Sequence, residues 1–210
     1  MVPIAQRFRG FLPIVVDVET AGFDCHRHAL LELAAIVVAG NSGSLTPVAS
    51  FHYHIQPFAG AELDPEALRF NGIDPHHPLR AAVPEEQALR ELFQGIRGQL
   101  KTWGCRRAIL VGHNAPFDLS FLQAAAKRQR IGNSPFHPFS TFDTVSLAGL
   151  FLGETVLAKA VHKAGLDFDG KQAHGALYDT ERTAALFCQL VNTFDQSTLT
   201  LYGPEKPQPF

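Results

Sequence analysis

Cysteine is scarce in this sequence, with three residues in a chain of 210. Cys25, Cys105 and Cys188 are odd in number, and no two of them form a C-x-x-C pair. Secreted domains that depend on a disulfide framework carry more cysteines, in even numbers. The cysteine content therefore argues against that class and predicts a reducing compartment, the cytoplasm.

The net charge is also low, because 18 lysines and arginines are opposed by 20 aspartates and glutamates, which leaves a formal charge of −2. No basic field covers the whole protein, so a polyanionic partner has to be held by a local patch. Short basic clusters are present at Arg7, Arg9, Lys101, Arg106, Arg107, Lys127, Arg128 and Arg130. Taken alone, each cluster is more typical of a solvated face or of a helix C-terminus stabilised by cations.

Long apolar runs are missing as well. The run from Phe11 to Val18 is interrupted by Pro13 and Asp17, so we expect neither a signal peptide nor a transmembrane helix, and no membrane partner. The length and the ordinary balance of 46% apolar and 18% charged residues indicate a globular protein with one full core. We predict a single domain over residues 1–194 and a loosely ordered, proline-containing tail over residues 195–210.

The stretch from Ile14 to Thr20 combines a predicted buried strand with two acids. It reads I-V-V-D-V-E-T, in which β-branched residues predict a strand buried on both faces. Side chains two apart on a strand point to the same face, so Asp17 and Glu19 project together near its end. Because two neighbouring anions repel each other, the pair favours a hard cation such as Mg²⁺ or Mn²⁺. A D-x-E by itself is more often an exposed pair that ends a strand.

The remaining pattern predicts an α/β fold with a five-stranded mixed sheet flanked by helices. Two further strands joined by a short turn favour an antiparallel meander, and a fourth strand after a long helix is expected to run parallel to the first. The predicted strands after the first are Ala29 to Gly40, Ala49 to Pro57, Arg107 to Gly112 and Phe136 to Val145. The predicted helices begin near Asp64, Pro84, Asn114 (as N-cap), Leu157 and His174.

Histidines alternate with apolar residues in the third strand. His52 and His54 fall on the wet face of the pattern, opposite Phe51 and Tyr53. Two histidines are able to chelate a metal, but no third ligand is near them in the sequence. We therefore interpret them as an exposed strand face.

Two more acids are predicted at the same edge of the sheet. Asp118 follows the parallel fourth strand at the start of a helix, and Asp179 lies in the first turn of the final helix. Four carboxylates are enough to hold two divalent cations, an arrangement used for displacement at phosphorus. His174, five residues before Asp179, is the candidate general base, because histidine changes charge near neutral pH.

These motifs resemble those of a known family. D-V-E-T in the first strand, H-N-A-P-F-D in the middle and H-G-A-L-Y-D near the end are similar to the three motifs of the DEDD superfamily of exonucleases, in its histidine subclass. The flanking segments R-F-R-G-F-L-P-I-V-V-D-V-E-T-A-G-F, P-E-A-L-R-F-N-G-I, N-S-P-F-H-P-F-S-T-F-D-T and A-L-Y-D-T-E-R-T-A resemble an RNA-trimming branch of that superfamily. The resemblance covers about Arg7 to Asn192.

The resemblance implies an RNase H-like fold and a 3′→5′ exoribonuclease that trims tRNA, rRNA precursors and other stable RNAs, acts on single-stranded DNA ends and uses two Mg²⁺ ions, with Mn²⁺ able to substitute. It implies a cytoplasmic homodimer that releases 5′-mononucleotides. Metal ligands would be Asp17, Glu19, Asp118 and Asp179, and His174 would be the base. Nucleic-acid contacts would come from Phe23, Glu66, Phe70, Phe117, Phe139, Arg7, Arg9, Lys101 and Arg107, the basic ones acting on the opposite subunit. Gly132 and Asn133 depart from the family, where this segment can be more basic.

Phe139 is the residue on which the resemblance and the residue pattern disagree. On composition alone, the fifth-strand residues Phe136, Phe139 and Phe142 are expected to pack in the core. The resemblance instead places Phe139 on a terminal base.

Two other functions fit the same residues less well. One is a DNA proofreading-type 3′→5′ exonuclease, which has the same chemistry. The other is a nucleic-acid-binding module without catalysis, but such modules typically lose a metal ligand, and here all four acids and the histidine are present.

Overall fold

The computed structural model describes residues 1–202, and their side chains as far as residue 197. The strands are β1 (Phe11–Thr20), β2 (Leu30–Ala39), β3 (Thr46–His54), β4 (Arg107–Gly112) and β5 (Phe136–Asp143). The helices are α1 (Pro65–Asn71), α2 (Glu85–Thr102), α3 (Ala115–Arg128), α4 (Thr144–Leu152), α5 (Leu157–Lys163) and α6 (Ala176–Tyr202). Short 3₁₀ turns at Ile4–Gln6, Phe8–Gly10 and Pro78–Arg80 complete the described elements.

The five strands form one mixed sheet in the order β3-β2-β1-β4-β5. β1 pairs antiparallel with β2 and parallel with β4, while β2 pairs antiparallel with β3 and β4 parallel with β5. The antiparallel meander and the parallel fourth strand are therefore confirmed. In this register Glu19 lies opposite Glu32, and Phe11 lies beside Arg107.

Helices cover both faces of the sheet. β2 is buried along its whole length, as expected for a central strand between two helical layers. α2 packs against the β3 face that carries Phe51 and Tyr53, because a Cβ added at Gly95 would meet the Phe51 ring at 2.4 Å. α6 packs against β1 and β2 and brings Asp179 to the face that carries Asp17. The sheet thus presents the end of β1 to the start of α6.

The structure corrects three details of the sequence interpretation. The fifth strand ends at Asp143, whose carboxylate accepts from the Val145 N–H and caps α4, a helix that the pattern did not predict. Asn114 precedes α3 with a left-handed φ of 75° and makes no side-chain cap. The predicted tail boundary at Asp195 falls inside α6, where Asp195 is buried and bound by Arg7 and by the Gly43 N–H. Residues 203–210 lie outside the described part of the chain.

Within residues 1–202, no single helix has the length and apolar composition needed to cross a membrane, and only α4 and α5 taken together, bent by 43° at their break, meet that criterion.

Candidate active site

Three carboxylates meet where β1 ends. Asp17 and Glu19 project from one face of β1, as their spacing predicts, and Asp179 reaches them from the first turn of α6. One carboxylate oxygen from each of the three lies within 4.8 Å of the other two. The fold therefore brings together three of the acids that the sequence predicts at one edge of the sheet.

Asp118 supplies the fourth carboxylate from the first turn of α3. Its side chain is buried, and its Oδ1 accepts a hydrogen bond of 3.1 Å from the N–H of Val18, the β1 residue between Asp17 and Glu19. This close approach needs a glycine at the end of β4, because a Cβ at Gly112 would lie 2.9 Å from the Ala115 Cα and 3.0 Å from the Asp118 Oδ2. Asp118 is thus held against β1 by the Val18 N–H, and Gly112 of β4 leaves the room that this position requires.

All four acids have raised pKa values, mainly because they are buried. Burial, followed by repulsion from Asp118 and Glu19, raises the pKa of Asp17 well above its usual value. Burial and then the charge of Glu32 raise the pKa of Glu19 to about 8. Burial also raises the pKa of Asp118 and of Asp179, partly offset at Asp179 by the His174 N–H. Without a cation, each of these carboxyl groups therefore takes up a proton more readily than it does in water.

The residues present fit a divalent cation. Oδ1 of Asp179 is buried and, among the described residues, has no hydrogen-bond partner. All four side chains offer hard oxygen donors, the ligands that Mg²⁺ and Mn²⁺ prefer. A bound cation would lower these pKa values, because its positive charge favours the charged form of each carboxylate. The site is therefore suited to hold a divalent metal.

His174 is exposed at the rim of this cluster. Its backbone has a left-handed φ of 68°, and its N–H donates to Oδ2 of Asp179 at 3.1 Å. The imidazole packs on the Phe70 ring, with 4.4 Å between the ring centroids. The structure thus brings the predicted base to the predicted carboxylates, on a loop tied to one of them.

Exposed phenylalanines surround the same end of the sheet. Phe23 is 85% exposed and Phe70 is 69% exposed, although phenylalanine is usually buried. The Phe23 ring lies 6.3 Å from that of Phe117, which is half-buried at the start of α3. Glu66 lies with its side chain exposed in the first turn of α1, the helix that carries Phe70. An open apolar rim of this kind marks a binding surface.

Phe139 is 78% exposed on β5, with its ring 4.6 Å from that of His137. Phe136 and Phe142 pack instead against Phe93 and against Phe8 and Phe187. The packing expectation is thus right for two of these three rings and wrong for Phe139.

The predicted basic residues lie at the opposite end of β1. Arg9 precedes this strand, Arg107 is exposed beside Phe11, and Lys101 is exposed in the last turn of α2. Asp17 is six residues beyond Phe11, which corresponds to about 20 Å along a strand. Arg107 also lines a cleft of about 410 Å³ with Lys127 and His137. The structure therefore does not bring these cations to the four acids of their own chain.

Arg7 differs from the other predicted RNA contacts. Its guanidinium is bound by the carboxylate of Asp195, and its side chain is only 17% exposed. Because the two residues are 188 positions apart, the sequence offers no sign of this ion pair.

Four residues near the site were not anticipated from the sequence. Asn71 donates to the Thr20 carbonyl oxygen at 3.0 Å and hydrogen-bonds the Glu19 side chain. Glu32 adds a further negative charge beside Glu19. His113, which hydrogen-bonds Thr144 and Thr155, lowers the pKa of Asp179 electrostatically. Gly112 makes room for Asp118. Only the glycine before H-N-A-P-F-D is a signal that sequence reasoning can use.

Solved structures share this fold. The nuclease domain of 3′hExo, a DEDDh family member bound to rAMP, superposes with a TM-score of 0.68 at 19% identity, over 88% of this chain and 94% of that one. Exonuclease I of E. coli, in complex with a dT13 oligonucleotide, gives a TM-score of 0.67 at 18% identity, over 91% of this chain and 43% of that one. The fold and the four carboxylates at one end of its sheet define the class, an exonuclease of the DEDD type with an RNase H-like fold.

The family follows from sequence similarity. The RNase_T family model, described as an exonuclease, matches residues 14–187. Ribonuclease T of Escherichia coli strain K12 and that of Shigella flexneri are each 58% identical over 190 residues, 90% of this chain and 88% of theirs. The chain belongs to the ribonuclease T family of exonucleases.

Proposed function

We propose that this protein is a metal-dependent 3′→5′ exoribonuclease that trims the 3′ ends of tRNA, rRNA precursors and other stable RNAs. It releases 5′-mononucleotides by hydrolysis and also acts on single-stranded DNA ends. The observation that carries the proposal is the cluster of four carboxylates with raised pKa values beneath an exposed phenylalanine rim. The 58% identity to ribonuclease T supports RNA as the substrate.

Two Mg²⁺ ions are the cofactors we propose, with Mn²⁺ as a substitute. Asp17, Glu19, Asp118 and Asp179 would hold them, since these four side chains supply the oxygen donors at the end of β1. When bound, such ions supply positive charge that stabilises the phosphoryl oxygens and the leaving oxygen during hydrolysis.

His174 acts as the general base in this proposal. Its imidazole accepts a proton from the attacking water, and its backbone N–H keeps the loop on Asp179. The Phe70 ring limits where the imidazole can move. His174→Ala is expected to keep RNA binding and lose about 10²- to 10³-fold in turnover. An unchanged turnover would remove His174 from the mechanism.

Base binding is assigned to the exposed rings. Phe23, Phe70, Phe117 and Phe139 offer faces on which terminal bases stack without a strict sequence code, because every base has a π-face. The exposed carboxylate of Glu66 accepts from the amino edge of a base.

The working unit we propose is a homodimer in the cytoplasm. Arg9, Lys101 and Arg107 lie at the far end of β1 from the acids, about 20 Å away along the strand. A short 3′ end in the acidic site leaves these cations without a phosphate to bind on the same chain. In a dimer that apposes opposite ends, they hold the RNA backbone for the partner's site.

Product analysis of a 3′-overhang RNA tests this function. Wild type with Mg²⁺ is expected to release mononucleotides from the 3′ end, whereas wild type with EDTA and Asp179→Asn with Mg²⁺ release none. Asp167→Asn, at an exposed carboxylate between α5 and α6, is the matched control and keeps full activity. Bound but uncut RNA in every condition would replace this proposal with a nucleic-acid-binding module.

A DNA substrate of matched sequence distinguishes the exoribonuclease from the second candidate, a DNA proofreading-type exonuclease. The fold similarity to exonuclease I, solved with a dT13 oligonucleotide, favours single-stranded DNA as an additional substrate. Cleavage of DNA ends much faster than RNA ends of the same sequence would identify a DNA proofreading-type exonuclease instead.

A further inference from the structure

A second group of metal-ligating side chains lies beside the acidic cluster, on the same face of the sheet. β2 places Glu32 opposite Glu19, and β3 places His54 opposite Glu32. His52 is two residues from His54 and therefore faces the same side. The antiparallel meander thus extends the row of polar side chains from β1 across β2 to β3.

The donors of this second group converge. One ligand atom from each of Glu32, His52 and His54 lies within 4.8 Å of the other two. Oε1 of Glu32 is 2.6 Å from Nε2 of His52, and the two imidazole rings are 4.9 Å apart. The third ligand, which is not near the two histidines in the sequence, is supplied by the strand register. Their interpretation as a plain exposed strand face is therefore incomplete.

The charge balance of the group favours a cation. Glu32 is buried and has Glu19 as its neighbour on β1, so two carboxylates face each other across the strands. The guanidinium of Arg80 is near enough to interact electrostatically with Glu32 and His54, but its hydrogen bonds go to the carbonyl oxygens of Leu31, Ile55 and Pro75. The buried carboxylate is left with the imidazole of His52 as its bonded partner in the described residues.

We propose that Glu32, His52 and His54 form a cation site separate from the four-carboxylate cluster, which takes an imidazole-preferring divalent ion, Zn²⁺ in particular. Two neutral imidazoles and one carboxylate are the donor set of open zinc sites, in which water occupies the remaining position. Ligands around tetrahedral zinc are roughly 3.4 Å apart, so small side-chain rotations bring these donors into place. The all-oxygen cluster prefers Mg²⁺, and the two sites therefore differ in the ion they select.

The ion would join β2 to β3 at the end of the meander that borders the acids. It would neutralise Glu32 beside Glu19 and hold both strands where that pair is formed. The expected result of occupancy is a more stable sheet end, measured as a higher unfolding temperature in Zn²⁺ than in EDTA.

Zinc binding in excess Mg²⁺ tests the site. Equilibrium dialysis of wild type is expected to show one more equivalent of Zn²⁺ than His54→Asn or His52→Asn, because asparagine keeps a polar side chain but removes the imidazole. Asp17→Asn/Asp179→Asn, which disables the acidic cluster, is expected to keep that equivalent. His162→Asn, at an exposed histidine of α5, is the matched control and binds like wild type.

A second readout identifies the ligands directly. In ¹⁵N-labelled protein, Zn²⁺ is expected to shift the ring resonances of His52 and His54, while Mg²⁺ leaves them unchanged. Unfolding temperatures in EDTA show whether the variants fold. Equal Zn²⁺ binding by folded His54→Asn and wild type, or loss of all Zn²⁺ binding in the Asp17→Asn/Asp179→Asn variant, would overturn the proposal.

Discussion

The two ends of β1 differ in almost every physical respect. The end near Glu19 concentrates buried and half-buried carboxylates with raised pKa values and exposed aromatic rings. The end near Phe11 carries exposed cations from the turn before β1, the last turn of α2 and the start of β4. The acids are fixed by paired strands and by a hydrogen bond to backbone, and the cations lie on flexible side chains. Under the proposed function, the residues for hydrolysis and the residues for RNA backbone binding lie at opposite ends of one strand.

Among the variants that compare the two ends of β1, those that combine altered acidic and basic ends across subunits are expected to show the largest effect. In a heterodimer of wild type with an Arg9→Ala/Arg107→Ala/Asp17→Asn subunit, the intact acidic end faces an altered basic end, and the intact basic end faces a disabled acidic end. RNA trimming at subsaturating RNA is expected to fall about 30-fold or more. A heterodimer of Arg9→Ala/Arg107→Ala with Asp17→Asn keeps one complete combination and about half of the activity.

Heterodimers isolated through two different affinity tags provide the measurement. The reverse ranking would show that each basic end serves the acidic end of its own chain. Equal activities in the two heterodimers would show that Arg9 and Arg107 do not contribute to RNA trimming.

The acidic end is also expected to limit stability when no metal is present. The pKa of Glu19 is raised to about 8 in the folded protein, whereas an unfolded glutamate titrates at about 4.3. The folded state therefore binds the proton more tightly, and its free energy of unfolding falls as pH rises through this interval. Glu19→Gln cannot ionise, so its advantage over wild type grows by about 1.4 kcal/mol per pH unit, from near zero at about pH 4 to about 5 kcal/mol above about pH 8.

Urea unfolding in EDTA across this pH range measures the difference. Glu66→Gln, at an exposed glutamate of α1, is the control and is expected to follow wild type. A gap between Glu19→Gln and wild type that does not change with pH would contradict the assigned cause.

Gly112→Ala is expected to disturb the acidic end alone. The added Cβ would approach Oδ2 of Asp118 and the backbone of Ala115 too closely, so the carboxylate has to move. We expect about a 10-fold loss of kcat, because small displacements of catalytic groups are costly, with RNA affinity within about 2-fold. Gly132→Ala is the control, since a Cβ there meets nothing within 4 Å. Unchanged kcat with weakened RNA binding would show that Gly112 supports RNA binding and not the position of the catalytic carboxylate.

The smallest effect is expected at the basic end. Lys101→Ala and Arg107→Ala each remove one exposed cation, so the slope of log affinity against log salt concentration should fall by about one for each phosphate that is no longer neutralised. Anisotropy of a labelled RNA measures the slope. Lys159→Ala, at an exposed lysine of α5, should leave the slope unchanged. An unaffected slope in the first two variants would exclude them as phosphate-binding residues.

Local periodicity predicted the acidic end well. Asp17 and Glu19 are two residues apart on a strand, and Asp118 and Asp179 lie in first turns of helices, so short-range rules place all four. Alternation does not place Phe139 in the same way, because the pairing of β5 with β4 is irregular between Phe136 and Thr141.

Long-range pairing could not be predicted in this way. Glu32 reaches Glu19 only through the register of β1 and β2, and Arg7 finds Asp195 across nearly the whole chain. α4 was missed because the apolar run after Asp143 fits a strand as well as a short helix, and the Asp143 cap decides between them. The first two contacts depend on the assembled fold, whereas α4 depends on a local side-chain cap.

At the basic end, the Arg7–Asp195 ion pair neutralises a cation that would otherwise be available to a polyanion. The guanidinium is two residues from Arg9, yet it is bound by an acid of the last helix. Exchange of Asp195 for a neutral residue would release this charge toward a polyanion without altering any group at the acidic end. Affinity and catalysis can therefore evolve separately, because the acid that restrains Arg7 belongs to neither end of β1.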